Sequence, residues 1–259
     1  MSNCIVDHLE NNILLLSLNR PEKCNALDQH TLTELQLLLD HAQDNPEVRV
    51  IILKGNGHHF CAGADLAWMR TIATFNEAEN LADAQHFAQV MHKLYRSNKP
   101  TIAMVHGSAF GGGAGLVAAC DIAIAATSAR FCFSEVKLGL IPAVISPYVS
   151  KAIGARNATA LFISAEVIDS QRAKELHLIH HCVPDELLLN FTMNYAQKIT
   201  LSAPLAIQDS KQLMQQIVDL PIDSQLIELT AATIAKKRSS KEGQHGLQAF
   251  LNKEEPKWS

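Results

Sequence analysis

The chain has 259 residues, 47% of them hydrophobic and 19% charged, with a net charge of −4. That is ordinary globular composition, sufficient for one domain or one domain with a small appendage. No Lys/Arg tract stands out, which disfavours a nucleic-acid or anionic-membrane surface.

The first third alternates strand and helix signals. Cys4–Leu9 and Ile13–Leu18, split by the turn-like Glu10-Asn11-Asn12, read as a hairpin. The run from Ile13 is far too short to span a bilayer, and it lacks the basic start and cleavage region of a signal peptide. Asp28 is placed to cap a helix whose apolar face carries Leu32, Leu35, Leu39 and Ala42. Val48–Leu53 is a β-branched run of strand length. A second helix is expected with Leu81, Ala84, Ala88, Met91 and Tyr95 on one face, and Thr101–Val105 and Ile122–Ala126 read as further short strands. Alternating helix and strand implies crossover connections and a largely parallel, buried sheet.

Beyond about residue 146 the texture becomes helical. Segments 155–164, 170–176, 185–201, 205–218 and 222–235 show helical periodicity, with breaks at Ser202-Ala203-Pro204 and Leu220-Pro221. The expected division is an α/β core over 1–200 and a helical region over 201–259, long enough to lie across another subunit. The six cysteines are scattered without a CxxC pair, which suits reduced thiols in a cytoplasmic compartment.

Two segments suggest chemistry. Phe60-Cys61-Ala62-Gly63-Ala64-Asp65-Leu66 and Phe110-Gly111-Gly112-Gly113-Ala114-Gly115-Leu116 each follow a strand. Small residues let a backbone approach a ligand, and a turn that opens a helix presents free N–H groups. Two such turns converging from adjacent strands would aim two donors at one oxyanion. A glycine-rich turn alone is weak evidence, since tight packing also produces it. The second turn lacks a GK[ST] ending and does not fit GxGxxG, so nucleotide hydrolysis and dinucleotide binding are poor fits. His58-His59 and His180-His181 are conspicuous, and His177 and His180 could share a helix face. No acidic or Cys partner is spaced to complete a metal site. A GxSxG elbow is also missing.

Together these segments resemble the enoyl-CoA hydratase/isomerase (crotonase) superfamily. Asn19-Arg20-Pro21 with Asn25-Ala26-Leu27 is similar to its N-terminal signature. Phe60–Leu66 and Phe110–Gly113 resemble its two oxyanion turns, and Ser134-Glu135-Val136-Lys137-Leu138-Gly139-Leu140-Ile141-Pro142 its catalytic-glutamate segment. Ala173–Ile179 and the tail from Glu242 to Lys253 also have counterparts. The fold implied is an α/β spiral of ββα units with a C-terminal helical trimerisation region, as a homotrimer or dimer of trimers. The resemblance implies an acyl-CoA thioester substrate, with coenzyme A as part of the substrate and no separate cofactor, metal or nucleic acid. It assigns Glu135 as acid/base and the N–H groups of Ala64 and Gly112 as the oxyanion hole. Ala62, Asp65, Leu66, Gly115, Pro142 and Lys23 are the substrate-binding candidates, with Arg20 as a further candidate near the phosphates; Asp65 and Asp121 are also placed to hold backbone turns.

One departure stands out. Many hydratases of this family are understood to hold a water between two glutamates; one aligns with Glu135, the other with Gly115. A single carboxylate suits hydration through one shared water, or a Δ3-Δ2 enoyl-CoA isomerase. A third reading, a non-catalytic or RNA-binding relative, ranks last because no lysine-rich helix is present. The segment Leu138–Val149 resembles the "GL-x-PAVISPYV" of bacterial 3-methylglutaconyl-CoA hydratases of leucine breakdown. It therefore points to a branched enoyl thioester. Ser146 and Tyr148 are pocket candidates there, or equally a helix N-cap and a core aromatic.

Overall fold

Every side chain of Ile13–Leu18 is buried, which a strand reaches only when both faces of its sheet are covered. The computed structural model describes residues 5–258; Cys4, expected to start the hairpin, lies outside them. The six-stranded sheet has the order β1 (Ile5–Glu10), β2 (Ile13–Leu18), β3 (Val50–Gly55), β4 (Thr101–Val105), β6 (Ile122–Ala126) and β9 (His181–Val183). Only the β1–β2 hairpin is antiparallel. Side-chain alternation sorts each strand between two cores. Leu14, Leu16, Ile51, Leu53, Ala103 and Val105 face one, while Ile13, Leu15, Val50, Ile52, Ile102 and Met104 face the other.

The first core is covered by α1 (Gln29–Asp44), α3 (Glu77–Tyr95) and α4 (Gly112–Ala119). Asp28 caps α1 by accepting the Thr31 N–H at 2.8 Å, and the predicted residues Leu32, Leu35, Leu39 and Ala42 are buried. In α3 the expected apolar face is shifted. Val90, Met91 and Leu94 are buried, whereas Leu81 is 58% exposed, because the first half of the helix stands away from the sheet.

The strands wind as a spiral of strand–strand–helix turns. After β3 the chain makes isolated parallel bridges at Cys61, to Ala109, and at Ala64, to Leu27, and enters α2 (Leu66–Ile72). After β4 it forms β5 (Ser108–Phe110) and then α4. After β6 it forms β7 (Arg130–Cys132) and then a short 3₁₀ turn, Glu135–Leu138. The second member of each turn joins a small second layer, β5-β7-β8, with β8 at Ile168–Asp169. Such two- and three-residue strands carry too little periodicity to be seen in the sequence.

Helices α5 (Ser146–Ile153), α6 (Ala155–Ser164), α7 (Ser170–Glu175) and α8 (Leu188–Thr200) follow, and α8 covers the second core with Leu188 and Ala196. Because α7 ends at Glu175, His177 sits in a left-handed turn (φ 66°) and shares no helix face with His180. The tail α9 (Pro204–Ile217), α10 (Ser224–Ser239) and α11 (Lys241–Asn252) buries little of itself: only Ala249 of these helices is buried. Lys211 ties it back to Asp121 at 2.7 Å. Leu205, Ile227, Leu247, Phe250 and Leu251 remain exposed. Among the described residues no helix is long and apolar enough to cross a membrane.

Candidate active site

The spiral puts three points of the chain in register. Cys61 pairs with Ala109, and Ala109 with Phe131. Counting three residues on from each reaches Ala64, Gly112 and Ser134, with Glu135 one step further. The two glycine-rich turns and the glutamate therefore leave the same layer side by side.

In the first turn burial alternates. Cys61, Gly63 and Asp65 are buried, while Ala62, Ala64 and Leu66 face the open side. Leu27 fixes this orientation: its N–H donates to Gly63 O at 2.7 Å, and its carbonyl accepts the Asp65 N–H at 2.8 Å. A parallel bridge of this kind turns the N–H of Ala64 away from Leu27. In the second turn Gly112 is the first residue of α4, where an N–H has no intrahelical acceptor. Among the described residues neither the Ala64 nor the Gly112 N–H has a protein acceptor. Gly63 and Gly111 hold φ values of 108° and 50°, which side-chain-bearing residues rarely adopt. A Cβ on Gly111 would lie 3.9 Å from Gly63 Cα and 3.3 Å from Glu135 Oε1. The two turns and the carboxylate thus meet at Gly111.

Glu135 is half-buried, and its Oε2 is enclosed without a hydrogen-bond partner. Burial raises its carboxyl pKa above the ordinary value of 4.5, against a smaller opposing pull from its own N–H. Such a group can accept a proton and release it again.

Behind the first turn, Arg20 donates to Asp65 at 2.7 Å and to the Ala26 carbonyl at 2.8 Å, and pairs with Asp28 at 2.8 Å. Asp65 also caps α2 through the Ala67 and Trp68 N–H groups and meets Lys23 Nζ at 3.2 Å. Burial would lift the Asp65 carboxyl, but the Trp68 N–H, Lys23, Arg20 and the Ala67 N–H outweigh it and hold it at about 2. Both Asp65 and Arg20 are consumed by the protein, so they position the turn; of the basic candidates only Lys23, about half exposed, keeps an open side. Leu66 is 75% exposed and Pro142 is buried. Ser146 is the first residue of α5 and not its cap, its hydroxyl donating to Ala143 O at 2.8 Å. Tyr148 packs edge-on against Tyr95. Gly115 lies directly beneath Ile145.

The sequence reading missed Phe87 and Ile145. Phe87 Cζ lies 3.1 Å from where a Gly112 Cβ would be, beside Leu27 Cδ1 at 3.2 Å. Phe87 lies on α3 one position off the expected face, of which Met91 and Tyr95 do reach the core. Ile145 sits inside an apolar run that shows no spacing of its own.

A family model for enoyl-CoA hydratase/isomerase matches residues 8–259. The 2,3-dehydroadipyl-CoA hydratase of Escherichia coli (strain K12) is 34% identical, covering 99% of this chain and 98% of the relative. An enoyl-CoA isomerase/hydratase of Mycosarcoma maydis is 35% identical over 93% of this chain and 90% of its own. Among solved structures, an enoyl-CoA hydratase from Shewanella pealeana ATCC 700345 superposes with a TM-score of 0.96 at 41% identity, covering 98% and 96% of the two chains. A protein of the enoyl-CoA hydratase/isomerase (crotonase) group from Legionella pneumophila subsp. pneumophila str. Philadelphia 1 gives 0.95 at 56% identity, covering all of both.

Proposed function

The chain belongs to the enoyl-CoA hydratase/isomerase (crotonase) family, and on that premise we propose that it hydrates the 2,3 double bond of a branched enoyl-CoA, possessing Glu135 as its single acid/base. The supporting observation is the enclosed, unpartnered Oε2 of Glu135 beside two turns whose N–H groups at Ala64 and Gly112 are free. In this reading the thioester carbonyl accepts both N–H groups. The ionised Glu135 takes one proton from a water as the water oxygen bonds to the β-carbon. The electron pair of the double bond moves onto the thioester oxygen, where the two donors stabilise it. Glu135 then returns the proton to the α-carbon, so one water is added and the carboxylate is regenerated. Ala62 and Leu66 would lie along the coenzyme A moiety, with Lys23 towards its phosphates. A 3-methylglutaconyl-type acyl group is the substrate favoured by the Leu138–Val149 segment. Assembly as a homotrimer or dimer of trimers would cover the exposed Leu247, Phe250 and Leu251, and the five described cysteines, all free, suit a cytoplasmic setting.

A second reading, isomerisation of a 3-enoyl to a 2-enoyl thioester, is favoured by one observation: Ile145 fills the space at Gly115, leaving no room there for another carboxylate. Glu135 would then carry a proton from the α-carbon to the γ-carbon without consuming water. Thioester absorbance with crotonyl-, 3-methylcrotonyl-, 3-methylglutaconyl- and 3-enoyl-CoA separates the two, since hydration removes the conjugated band and isomerisation creates it. Glu135→Gln should lower the active reaction by about 10²–10⁴-fold with the fold intact. An unchanged rate removes Glu135 from the chemistry.

A further inference from the structure

The glycine at position 115 is explained by what sits over it. Gly115 lies one turn beyond Gly111 on α4, and its N–H donates to the Gly111 carbonyl at 3.0 Å. At Gly111, the N-cap of α4 with φ 50° and ψ −121°, a Cβ would lie 3.3 Å from Glu135 Oε1. At Gly115 a Cβ would meet hydrocarbon: Ile145 Cγ2 at 2.2 Å and Cβ at 2.8 Å, with Met91 Cε at 3.5 Å. Along α3, Phe87 and Met91 are also four apart, the first against Gly112 and the second against Gly115. The two helices therefore run side by side, with Glu135 at the N-cap of α4 and hydrocarbon along the turn that follows.

Ile145 is pinned in this seat. It is 2% exposed, and its carbonyl opens α5 by accepting the Tyr148 and Val149 N–H groups at 3.1 Å each. No side chain at 115 can coexist with it, because even a Cβ would lie far inside contact distance. We propose that Ile145 is a specificity-determining residue: it closes the deep end of the acyl site and sets the bulk of the acyl group admitted beside Glu135. The inference deepens the reading of this cleft as the acyl-thioester site and rests on it.

The size of the opening is set by the side chain removed. Ile145→Val withdraws one methylene-sized group and Ile145→Ala three carbons, and one methylene in an apolar pocket discriminates by about 10–200-fold. The test is calorimetric titration of the full-length chain with two saturated, unreactive thioesters, butanoyl-CoA and the bulkier 4-methylpentanoyl-CoA. Ile145→Ala should shift the ratio of their Kd values at least tenfold in favour of the bulkier ligand, with Ile145→Val in between. Gly115→Ala should weaken both ligands by displacing Ile145, and Gly115→Ala with Ile145→Ala should recover part of that loss, because alanine removes the Cγ2 that the new Cβ would meet at 2.2 Å. A ratio within twofold of wild type in the folded variants overturns the proposal, since packing alone would weaken both ligands together. Failure of the wild type to bind either thioester would overturn it as well. Should Ile145→Ala not fold, the ratio in Ile145→Val decides. Glu135→Gln separates the two ideas: retained turnover of an enoyl-CoA would remove the acid/base reading, while the Kd ratio would still decide the role of Ile145.

Discussion

Replacing Arg20 with Met tests whether the first turn is aimed from behind. Arg20 is 9% exposed and joins Asp65, Asp28 and the Ala26 carbonyl. Methionine keeps much of the stem but leaves Asp65, itself 4% exposed, with the Ala67 and Trp68 N–H groups and a half-exposed Lys23. Breaking a buried ion pair from one side typically costs about 3–5 kcal/mol. For a domain of this size each kcal/mol moves Tm by about 2–4 °C, so a fall of about 10 °C is expected by calorimetry. The acid limb supplies an independent magnitude. The folded carboxyl of Asp65 sits at about 2 against an ordinary 3.8. A depressed folded pKa contributes stability above the ordinary value that is lost as pH falls through about 2, and a shift of that size corresponds to about 2 kcal/mol. In Arg20→Met this contribution shrinks, so the slope of stability between pH 4 and pH 2 should flatten. Because Asp65 follows Ala64 directly, kcat/KM should fall with it. A Tm within about 2 °C of wild type, or an unchanged acid slope, would refute the account.

The raised carboxyl of Glu135 makes two linked predictions. As the base it requires the ionised form, so kcat/KM should fall as pH drops through a midpoint above 4.5, and Glu135→Gln should lack that limb. For stability the sign is opposite: a raised folded pKa contributes below the ordinary carboxylate range and is lost as pH rises through the folded value. Glu135→Gln should therefore gain in Tm over wild type as pH rises above 4.5, and parallel curves would contradict it. At Gly113 a Cβ would lie 2.5 Å from Cys61 O and 2.8 Å from Cys61 Cβ. Gly113→Ala should cost about 1–3 kcal/mol through overpacking, read as a lower Tm; an unchanged Tm would show that the two turns are not so tightly joined.

What the sequence made legible follows from the range of each signal. Asp28 with Leu32, Leu35 and Leu39 is a local pattern, and cap and face are where the spacing put them. The second helix forms where expected, but its buried face is set by where α4 lies, which no window over residues 77–95 contains. The two turns could be named as donors from their small residues and their place after strands. Their meeting depends on a three-strand register from Cys61 through Ala109 to Phe131, carried by one isolated bridge and a three-residue strand. Arg20 illustrates the other failure. Its charge suggested a phosphate, but a residue 45 positions away uses it. Composition cannot distinguish a free guanidinium from one already spoken for.

The arrangement divides labour between backbone and side chains in a way that bears on how such a site can change. The two donors are N–H groups, so only proline at 64 or 112 would delete one; any other substitution can only misdirect them, as a Cβ at Gly111 or the loss of Arg20 would. In the proposed mechanism proton transfer is concentrated in one carboxylate, Glu135, whose enclosed oxygen costs stability above its ordinary titration range. Around the proposed acyl site pack residues from two other elements, Phe87 and Met91 of α3 and Ile145 at the start of α5. Met91 and Ile145 meet Gly115 and not the donors or Glu135, whereas Phe87 packs against Gly112. Substrate choice is therefore free to drift while the thioester chemistry stays fixed, and the coupled pair Gly115–Ile145 is where that drift is most constrained, because neither residue can enlarge unless the other shrinks.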